Sequence, residues 1–136
     1  MQPIAHGIDL VEVIRIGSMI ESHGETFLKR CFTTDEREYA GDRRRRDEHL
    51  AARFAAKEAV LKALGTGLTN GIHWTDIEVR RAPDGAPSLA LNGRAADVAR
   101  GQGIDEWLIS LSHTDSHAIA SVIALGRIGD ATVAEH

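Results

Sequence analysis

Three groups of polar side chains interrupt apolar segments of the sequence and could carry chemistry. They are Asp9 in the first apolar run, Lys57, Glu58 and Lys62 in a long alanine-rich segment, and Ser112 with His113 near the end of the sequence. Magnesium is commonly held by one or two carboxylates together with substrate phosphates and water. Lysine supplies a compact positive charge for phosphate oxygens. Two carboxylates from separate segments, with lysines beside one of them, therefore favour a site for magnesium and a phosphate ligand.

The segment RFAAKEAVLKALGTG, residues 53–67, has the periodicity of a helix that is buried on two sides. At about 100° per residue, bulky side chains share one face and alanines share the opposite face. The bulky set is Leu50, Phe54, Val60, Leu61 and Leu64, and the small set is Ala52, Ala55, Ala56, Ala59 and Ala63. We expect this helix to pack on a sheet with one face and on another helix or another subunit with the other.

The charged residues of this helix allow two interpretations. Glu58 and Lys62 lie four residues apart in the order that favours a salt bridge on a solvated helix rim. The same two side chains could instead bind a metal ion or a phosphate. Lys57 falls within the bulky stripe, where its long stem could carry the charge to solvent. A buried ammonium there would need an ion partner or a ligand.

The Gly65-Thr66-Gly67 segment that follows the helix also has two interpretations. Glycine is a common residue just after a helix end, and it also lets the backbone come close to a ligand. A phosphate-binding Walker loop places its glycines before the lysine and before the helix. Here the glycines follow the helix, so the sequence excludes a loop of that kind.

The elements that must position these residues are a mixture of helices and strands. We predict a first strand over 4–13, hairpins over 77–91 and 106–125, and helices over 12–24, 32–42 and 93–103 besides the central helix. Thr33 is the expected cap of the helix near 32–42, with Glu36 at the capping-box position. The fold class is therefore α+β: a single small domain over 1–125, whose mostly antiparallel sheet packs on the long central helix. We expect residues 126–136 to form a loosely held tail.

Composition bounds the class of protein. The 136 residues suit one domain, and the net charge of −4 argues against a dedicated nucleic-acid binder. The single cysteine, Cys31, excludes an internal disulfide and a thiolate metal cluster, and we expect it to be buried. The N-terminal segment has no basic leader, and no stretch approaches the roughly 20 apolar residues of a membrane span. We therefore expect a cytoplasmic protein without a membrane partner.

Several motifs together resemble those of the holo-[acyl-carrier-protein] synthase family, the small 4′-phosphopantetheinyl transferases. The matching segments are GIDLVEVIRI over 7–16, FAAKEAVLKALGTG over 54–67, SLSHTDSHAIASVIA over 110–124 and, more weakly, FTTDE over 32–36. The resemblance implies a 4′-phosphopantetheinyl transferase-like fold. It also implies transfer of 4′-phosphopantetheine from coenzyme A to a serine of an apo acyl carrier protein, for fatty acid biosynthesis in lipid metabolism. The second product would be 3′,5′-ADP, and the protein would be a homotrimer with sites between subunits.

The resemblance also implies roles for individual residues. Mg²⁺ would be bound by Asp9 and Glu58, and Lys62 would neutralise the phosphate under attack. The general base would be Asp9 acting through a bound water, or else a water on Glu58. Lys57 would be held by the same anionic site or by an acidic neighbour. The expected catalytic residues are Asp9, Glu58, Lys62 and His113; those for coenzyme A are Arg44, Arg45, Arg53, Lys62, Gly65, Thr66, Gly67, Ser112 and His113; and Arg15 would dock the acidic carrier protein.

Two other function classes compete with this interpretation. A non-catalytic module that binds coenzyme A or a carrier protein would be favoured if Asp9, Glu58 or Lys62 were missing, and all three are present. The arginine run 43–46 suggests nucleic-acid binding, but the acidic net charge and the lack of interleaved aromatics oppose it. The run could simply be balanced by Asp42, Asp47 and Glu48. Alternatively, with Arg53, it could meet the coenzyme A 3′-phosphate and the acidic face of the carrier protein.

Overall fold

The computed structural model describes residues 1–41 and 45–127. The elements in chain order are β1 (Gln2–Glu12), α1 (Val13–His23), α2 (Glu25–Cys31), α3 (Thr34–Ala40), α4 (Arg46–Leu64), a 3₁₀ turn (Trp74–Asp76), β2 (Ile77–Arg81), β3 (Pro87–Leu91), α5 (Gly93–Gly101), β4 (Ile104–His113) and β5 (His117–Gly126). All strand pairs in these ranges are antiparallel. The predicted α+β class, with antiparallel strands packed on a long central helix, is confirmed.

A three-stranded sheet in the order β1-β5-β4 forms the platform for α4, and β2 and β3 form a separate hairpin. Asp9 lies opposite Ala120, which lies opposite Leu111, and in the next row Val11, Ala118 and His113 are aligned in the same way. Cross-strand partners share a face of a sheet. Asp9 and His113 therefore lie on one face, on opposite edge strands, about 12 Å apart from two strand spacings and an offset of two residues along the strands.

Helix α4 is buried on both sides, as its two apolar faces predict. The alanine side lies on the sheet, where Ala55, Ala59 and Ala120 are fully buried. At Gly7 a side chain would overlap the carbonyl oxygen of Ala59, so the backbones of β1 and α4 touch directly. The bulky side packs on other elements of the same chain, and Phe54 stacks on Trp74 with ring centroids 4.8 Å apart. Of the two partners expected for that face, the structure shows further elements of the same chain.

The capping of the short helices follows the sequence signals. The Thr33 hydroxyl accepts a hydrogen bond from the Glu36 backbone N–H at 3.3 Å, and the Thr33 N–H donates to Glu36 Oε1 at 2.9 Å, which confirms the capping box. Gly24 ends α1 as expected, with φ of 53°. Helix α2 was not predicted and begins at the next residue. Cys31 is buried as predicted, and burial raises the pKa of its thiol.

The predicted tail lies largely outside the described residues. Strand β5 ends at Gly126, one residue beyond the predicted boundary of the domain. Residues 128–136 are not described, and neither are residues 42–44 of the arginine run. Within the described ranges, no helix has both the length and the apolar character needed to cross a membrane.

Candidate active site

The structure brings Asp9, Glu58 and Lys62 together where β1 crosses α4. Lys62 Nζ donates to Asp9 Oδ1 at 2.9 Å and to the carbonyl oxygen of Ile8 at 3.0 Å. The Asp9 side chain is only 16% exposed, whereas that of Lys62 is 55% exposed. The hydrogen bond that Lys62 donates to Asp9, together with the negative charge of Asp9, raises the pKa of Lys62. The cluster therefore contains a firmly cationic lysine on the solvent side of a partly buried carboxylate.

Glu58 carries the electrostatic signature of a carboxylate placed near another carboxylate. Partial burial raises its pKa, the charge of Asp9 raises it further, and the charges of Arg15 and Lys62 lower it. Repulsion between the two carboxylates means that a cation close to both would be stabilised. Glu58 therefore lies within electrostatic range of Asp9.

These residues fit the magnesium ion that the sequence predicts. In the described ranges no group of three or more histidine, cysteine, aspartate or glutamate side chains could hold a metal ion. Two carboxylates that repel each other are nevertheless a sufficient protein contribution for magnesium, which takes its other oxygens from phosphates and water. Asp9 and Glu58 are the side chains that would hold it.

Of the two interpretations of Glu58 and Lys62, the salt bridge on the helix rim is not the pairing that forms. Lys62 bonds to Asp9 instead, on a strand 53 residues earlier in the sequence. Lys62 still acts on Glu58 through its charge, which lowers the pKa of that carboxyl. The i, i+4 spacing therefore gives the correct proximity and the wrong partner, because a nearby strand offers a better-placed carboxylate.

Lys57 does not extend to solvent. Its side chain is 0% exposed and its Nζ lies 2.8 Å from Glu36 Oε1, which is also 0% exposed. Nζ donates further to the carbonyl oxygens of Trp74 and Ile77. Burial lowers the pKa of Lys57, and the charge of Glu36 opposes that shift. Of the two predicted partners, the acidic neighbour is therefore the observed one, and Lys57 fixes α4 to α3 and the start of β2.

A second group of candidate residues lies at the other end of α4. His113, the last residue of β4, places its Nδ1 3.3 Å from Oε1 of Glu48. Its ring also lies edge-on to that of His49, with centroids 6.4 Å apart. Glu48 and Glu58 are ten residues apart on the helix, or about 15 Å at 1.5 Å per residue. The candidate site is therefore elongated along α4.

Ser112 and His113 do not point to the same place. Ser112 lies opposite Ile119, which is on the exposed face of the sheet, whereas His113 lies opposite the fully buried Ala118. Successive side chains of a strand alternate between faces. Only His113 of this pair therefore lies on the α4 side of the sheet, and a shared contact of both side chains with one ligand is not supported within one chain.

Arg53 is buried. Its side chain is 1% exposed, its guanidinium lies 4.4 Å from the centroid of Tyr39, and Nη1 donates to the His49 carbonyl oxygen at 3.3 Å. Burial lowers the pKa of Arg53. Together with Tyr39 and Arg81 it lines a surface cavity. Arg45 is exposed at the N-terminus of α4, and Arg44 lies outside the described residues.

The remaining predicted residues lie at the C-terminus and flank of α4. Gly65 and Gly67 have φ of 76° and 60°, values that favour glycine, and space is open around both. The Gly65 N–H bonds to the carbonyl oxygens of Leu61 and Lys62, so the helix-stop interpretation is confirmed. Thr66 bonds locally to the Gly67 carbonyl oxygen. Arg15 is exposed on α1, and its charge acts on Glu58.

Sequence reasoning missed two partners within this region. Glu36 was identified as a capping residue, but its second role as the ion partner of Lys57 depends on a contact between two helices. Glu48 was assigned to balance the arginine run, and its contact with His113 spans 65 residues. A buried lysine inside an apolar stripe was the available signal for the first contact. No sequence signal pointed to the second.

Comparison with known proteins assigns the chain to a family. Residues 5–121 match the family model of the 4′-phosphopantetheinyl transferase superfamily. The holo-[acyl-carrier-protein] synthase of Koribacter versatilis is 48% identical over 117 residues, which cover 86% of this chain and 94% of that protein. The crystal structure of the synthase from Neisseria meningitidis has a TM-score of 0.81 at 30% identity, covering 91% of this chain and 99% of that one.

A second solved structure, the Helicobacter pylori holo-[acyl-carrier-protein] synthase in complex with coenzyme A, has a TM-score of 0.78 at 29% identity. It covers 88% of this chain and 99% of that chain. Sequence similarity and fold similarity thus extend over most of the chain in both comparisons. This chain belongs to the 4′-phosphopantetheinyl transferase superfamily and, within it, to the holo-[acyl-carrier-protein] synthases.

Proposed function

We propose that this protein transfers the 4′-phosphopantetheine group of coenzyme A to a serine hydroxyl of an apo acyl carrier protein. The observation that carries the proposal is the cluster in which Lys62 holds Asp9 beside Glu58, in a member of the holo-[acyl-carrier-protein] synthases. The reaction is a phosphoryl transfer, in which positioning and charge stabilisation dominate. The products are the holo carrier protein and 3′,5′-ADP.

The residues of this chain serve the reaction in separable ways. Lys62 is half exposed and firmly cationic, so it can neutralise oxygens of the phosphate under attack. Asp9 is held by Lys62 and by its strand, which favours it as the carboxylate that receives the serine proton through a water molecule. Glu58 takes that role in the alternative assignment. Each side chain is fixed by an element and not by a loop, which favours catalysis by positioning.

Magnesium is the proposed cofactor, held by Asp9 and Glu58. When bound, it would withdraw charge from the diphosphate and stabilise the leaving oxygen. The protein contributes two carboxylates whose mutual repulsion a dication relieves. This part of the proposal rests on the donor set and on the family, and it is tested by the metal dependence of transfer.

The length of the site suits a ligand with phosphates at separated positions. Asp9 and His113 lie on the same sheet face about 12 Å apart. We therefore assign the coenzyme A diphosphate to the end near Lys62 and the 3′-phosphate to the end near His113, Arg45 and Arg53. Because Arg53 is only 1% exposed, its proposed contact with the 3′-phosphate would have to form through the surface cavity that it lines. Arg15, exposed on α1, is the proposed contact for the acidic carrier protein.

The outer face of the three-stranded sheet is the proposed subunit interface. Ile8, Leu10, Leu108 and Ile119 are between 37% and 61% exposed there. Exposed apolar patches of this kind mark interaction sites. We propose that copies of the chain pack through this face into the trimer that the family resemblance implies, which light scattering of the purified protein tests. The expected cytoplasmic location stays a prediction.

The decisive experiment is mass spectrometry of an apo acyl carrier protein incubated with this protein, coenzyme A and Mg²⁺. We expect the mass of the carrier protein to increase by one phosphopantetheine. The increase should be abolished by excess EDTA, and also by Asp9→Ala or Glu58→Ala in protein that remains folded. Binding of coenzyme A without any mass increase would favour the non-catalytic module instead. Transfer at the normal rate in EDTA would refute only the role of magnesium and would leave the proposed transfer reaction standing.

A further inference from the structure

We propose that Glu48 is a positioning residue that holds the imidazole ring of His113 for a phosphate group of the substrate. The inference rests on the proposed function, because it was the family resemblance that placed His113 near the coenzyme A phosphates. Glu48 itself was expected only to balance the arginine run. Its contact with His113 joins the first turn of α4 to the end of β4.

The first argument is the direction of the contact. A carboxylate offers only acceptors, whereas each nitrogen of a histidine ring can be a donor or an acceptor. The approach of Glu48 Oε1 to within 3.3 Å of His113 Nδ1 is therefore attractive only when Nδ1 carries the proton. A carboxylate at this place selects both the orientation of the ring and the position of its proton.

The second argument is that the backbone alone holds His113 poorly. It is the last residue of β4 and precedes the turn over 114–116, so the regular strand supports it on one side only. The ring of His49, from the same turn of α4 as Glu48, lies edge-on to it, and Tyr39 lies edge-on to His49 at 5.4 Å. The His113 side chain is nevertheless 34% exposed. The ring is thus held from the α4 side while part of it remains open to a ligand.

The third argument is the charge around the pair. Burial lowers the pKa of His49 most, and the charges of Arg53, Arg81 and Arg45 lower it further. This end of α4 is therefore cationic and suits a phosphate, and the Glu48 carboxylate would oppose an anion if its charge were its main contribution. Because it faces the ring at 20% exposure, its contribution is better explained by holding the ring.

The kinetic test uses four single variants and one double variant, and measures transfer as a function of coenzyme A concentration. Glu48→Ala should raise KM for coenzyme A about tenfold, the scale of losing a polar contact with a charged group, and change kcat little. Glu48→Gln keeps an acceptor and should retain most of the wild-type KM. Asp47→Asn removes a neighbouring charge from the same helix turn and should leave both constants unchanged. In His113→Ala, the further change Glu48→Ala should have no effect.

Four kinetic results would overturn the proposal. Glu48→Ala could leave KM within about twofold of wild type, or His113→Ala could leave KM unchanged. Glu48→Gln could be as impaired as Glu48→Ala, which would assign the effect to charge. Finally, the effects of the changes at Glu48 and His113 on KM could be additive.

Nitrogen-15 NMR of the ligand-free protein supplies an independent experiment. Neutral His113 should carry its proton on Nδ1 in the wild type and lose that preference in Glu48→Ala. An unchanged ring spectrum would also overturn the proposal. This experiment needs no transfer, so failure of the proposed function is distinguishable.

Discussion

The buried pair between Lys57 and Glu36 should dominate the response of this fold to single substitutions. Lys57 Nζ uses its three donors on Glu36 and on the carbonyl oxygens of Trp74 and Ile77. Glu36 accepts in addition from the N–H groups of Thr33 and Val79, each at 2.9 Å. Breaking such a pair on one side leaves an uncompensated buried charge and costs about 3–5 kcal/mol. We therefore expect Lys57→Met to lower the free energy of unfolding by that amount.

The double variant separates the pair from its surroundings. Glu36→Gln alone should be comparably destabilising, since it leaves the ammonium buried without a counter-ion. Lys57→Met combined with Glu36→Gln should be less destabilised than the sum of the two single changes by roughly 2 kcal/mol, because neither buried charge remains. Urea unfolding followed by tryptophan fluorescence suits the measurement, since Trp74 accepts a bond from Lys57 and stacks on Phe54.

Lys62→Met is the matched control for this series, because it removes a lysine charge from the same helix at a half-exposed position. It should leave the unfolding midpoint nearly unchanged. Strict additivity of Lys57→Met and Glu36→Gln, or a cost for Lys57→Met as small as that for Lys62→Met, would refute the reasoning. A change in the slope of the unfolding curve would instead indicate a less compact denatured or native state.

Three further predictions concern the site and its support. Lys62→Met should reduce the rate of phosphopantetheine transfer by about tenfold or more, since the proposed role of Lys62 is to neutralise the phosphate under attack. A normal rate would show that Lys62 takes no part in transfer. Gly7→Ala should cost roughly 1–3 kcal/mol by forcing β1 away from Ala59, and should also slow transfer, whereas Gly101→Ala, with open space around it, should do neither. Burial and the charge of Arg53 lower the pKa of His49 from its usual 6.5, so the unfolded state binds more protons just below that pH. The free energy of unfolding should therefore rise with pH between the lowered pKa and about 6.5 and then level off. In urea titrations at several pH values, His49→Gln should flatten this rise. An identical rise in the variant would contradict the assignment to His49.

The periodicity of apolar residues was sufficient to predict most of the fold. It located β1, both hairpins and α4, because regular elements with a buried face repeat their side chains at a fixed spacing. It missed α2, because Gly24 was interpreted only as the end of α1. In the structure Gly24 ends α1 and immediately precedes α2, so a single glycine with positive φ produces a bend between two helices.

The composition of the site was predictable, whereas the pairing within it was not. Asp9, Glu58 and Lys62 were identified by residue type and resemblance, and the structure brings them together. The ion partners of Lys57 and His113 come from segments 21 and 65 residues away in the sequence. The periodicity of a helix or a strand predicts no contact at such separations. The separation of Ser112 from His113 was the exception. Strand alternation alone implies it, and the resemblance to a joint motif obscured it.

Helix α4 has a consequence for how this protein tolerates insertions and deletions. Its first turn meets β4 at His113, and its last turns meet β1 at Gly7 and Asp9. One inserted residue between these contacts would lengthen the helix by 1.5 Å and rotate one end against the other by about 100°. A substitution on α4 changes the contacts of one side chain. An insertion would instead turn Glu58 and Lys62 away from Asp9, or Glu48 away from His113. The number of residues between the two contacts of this helix, more than any one of its side chains, sets the distance between the two ends of the site.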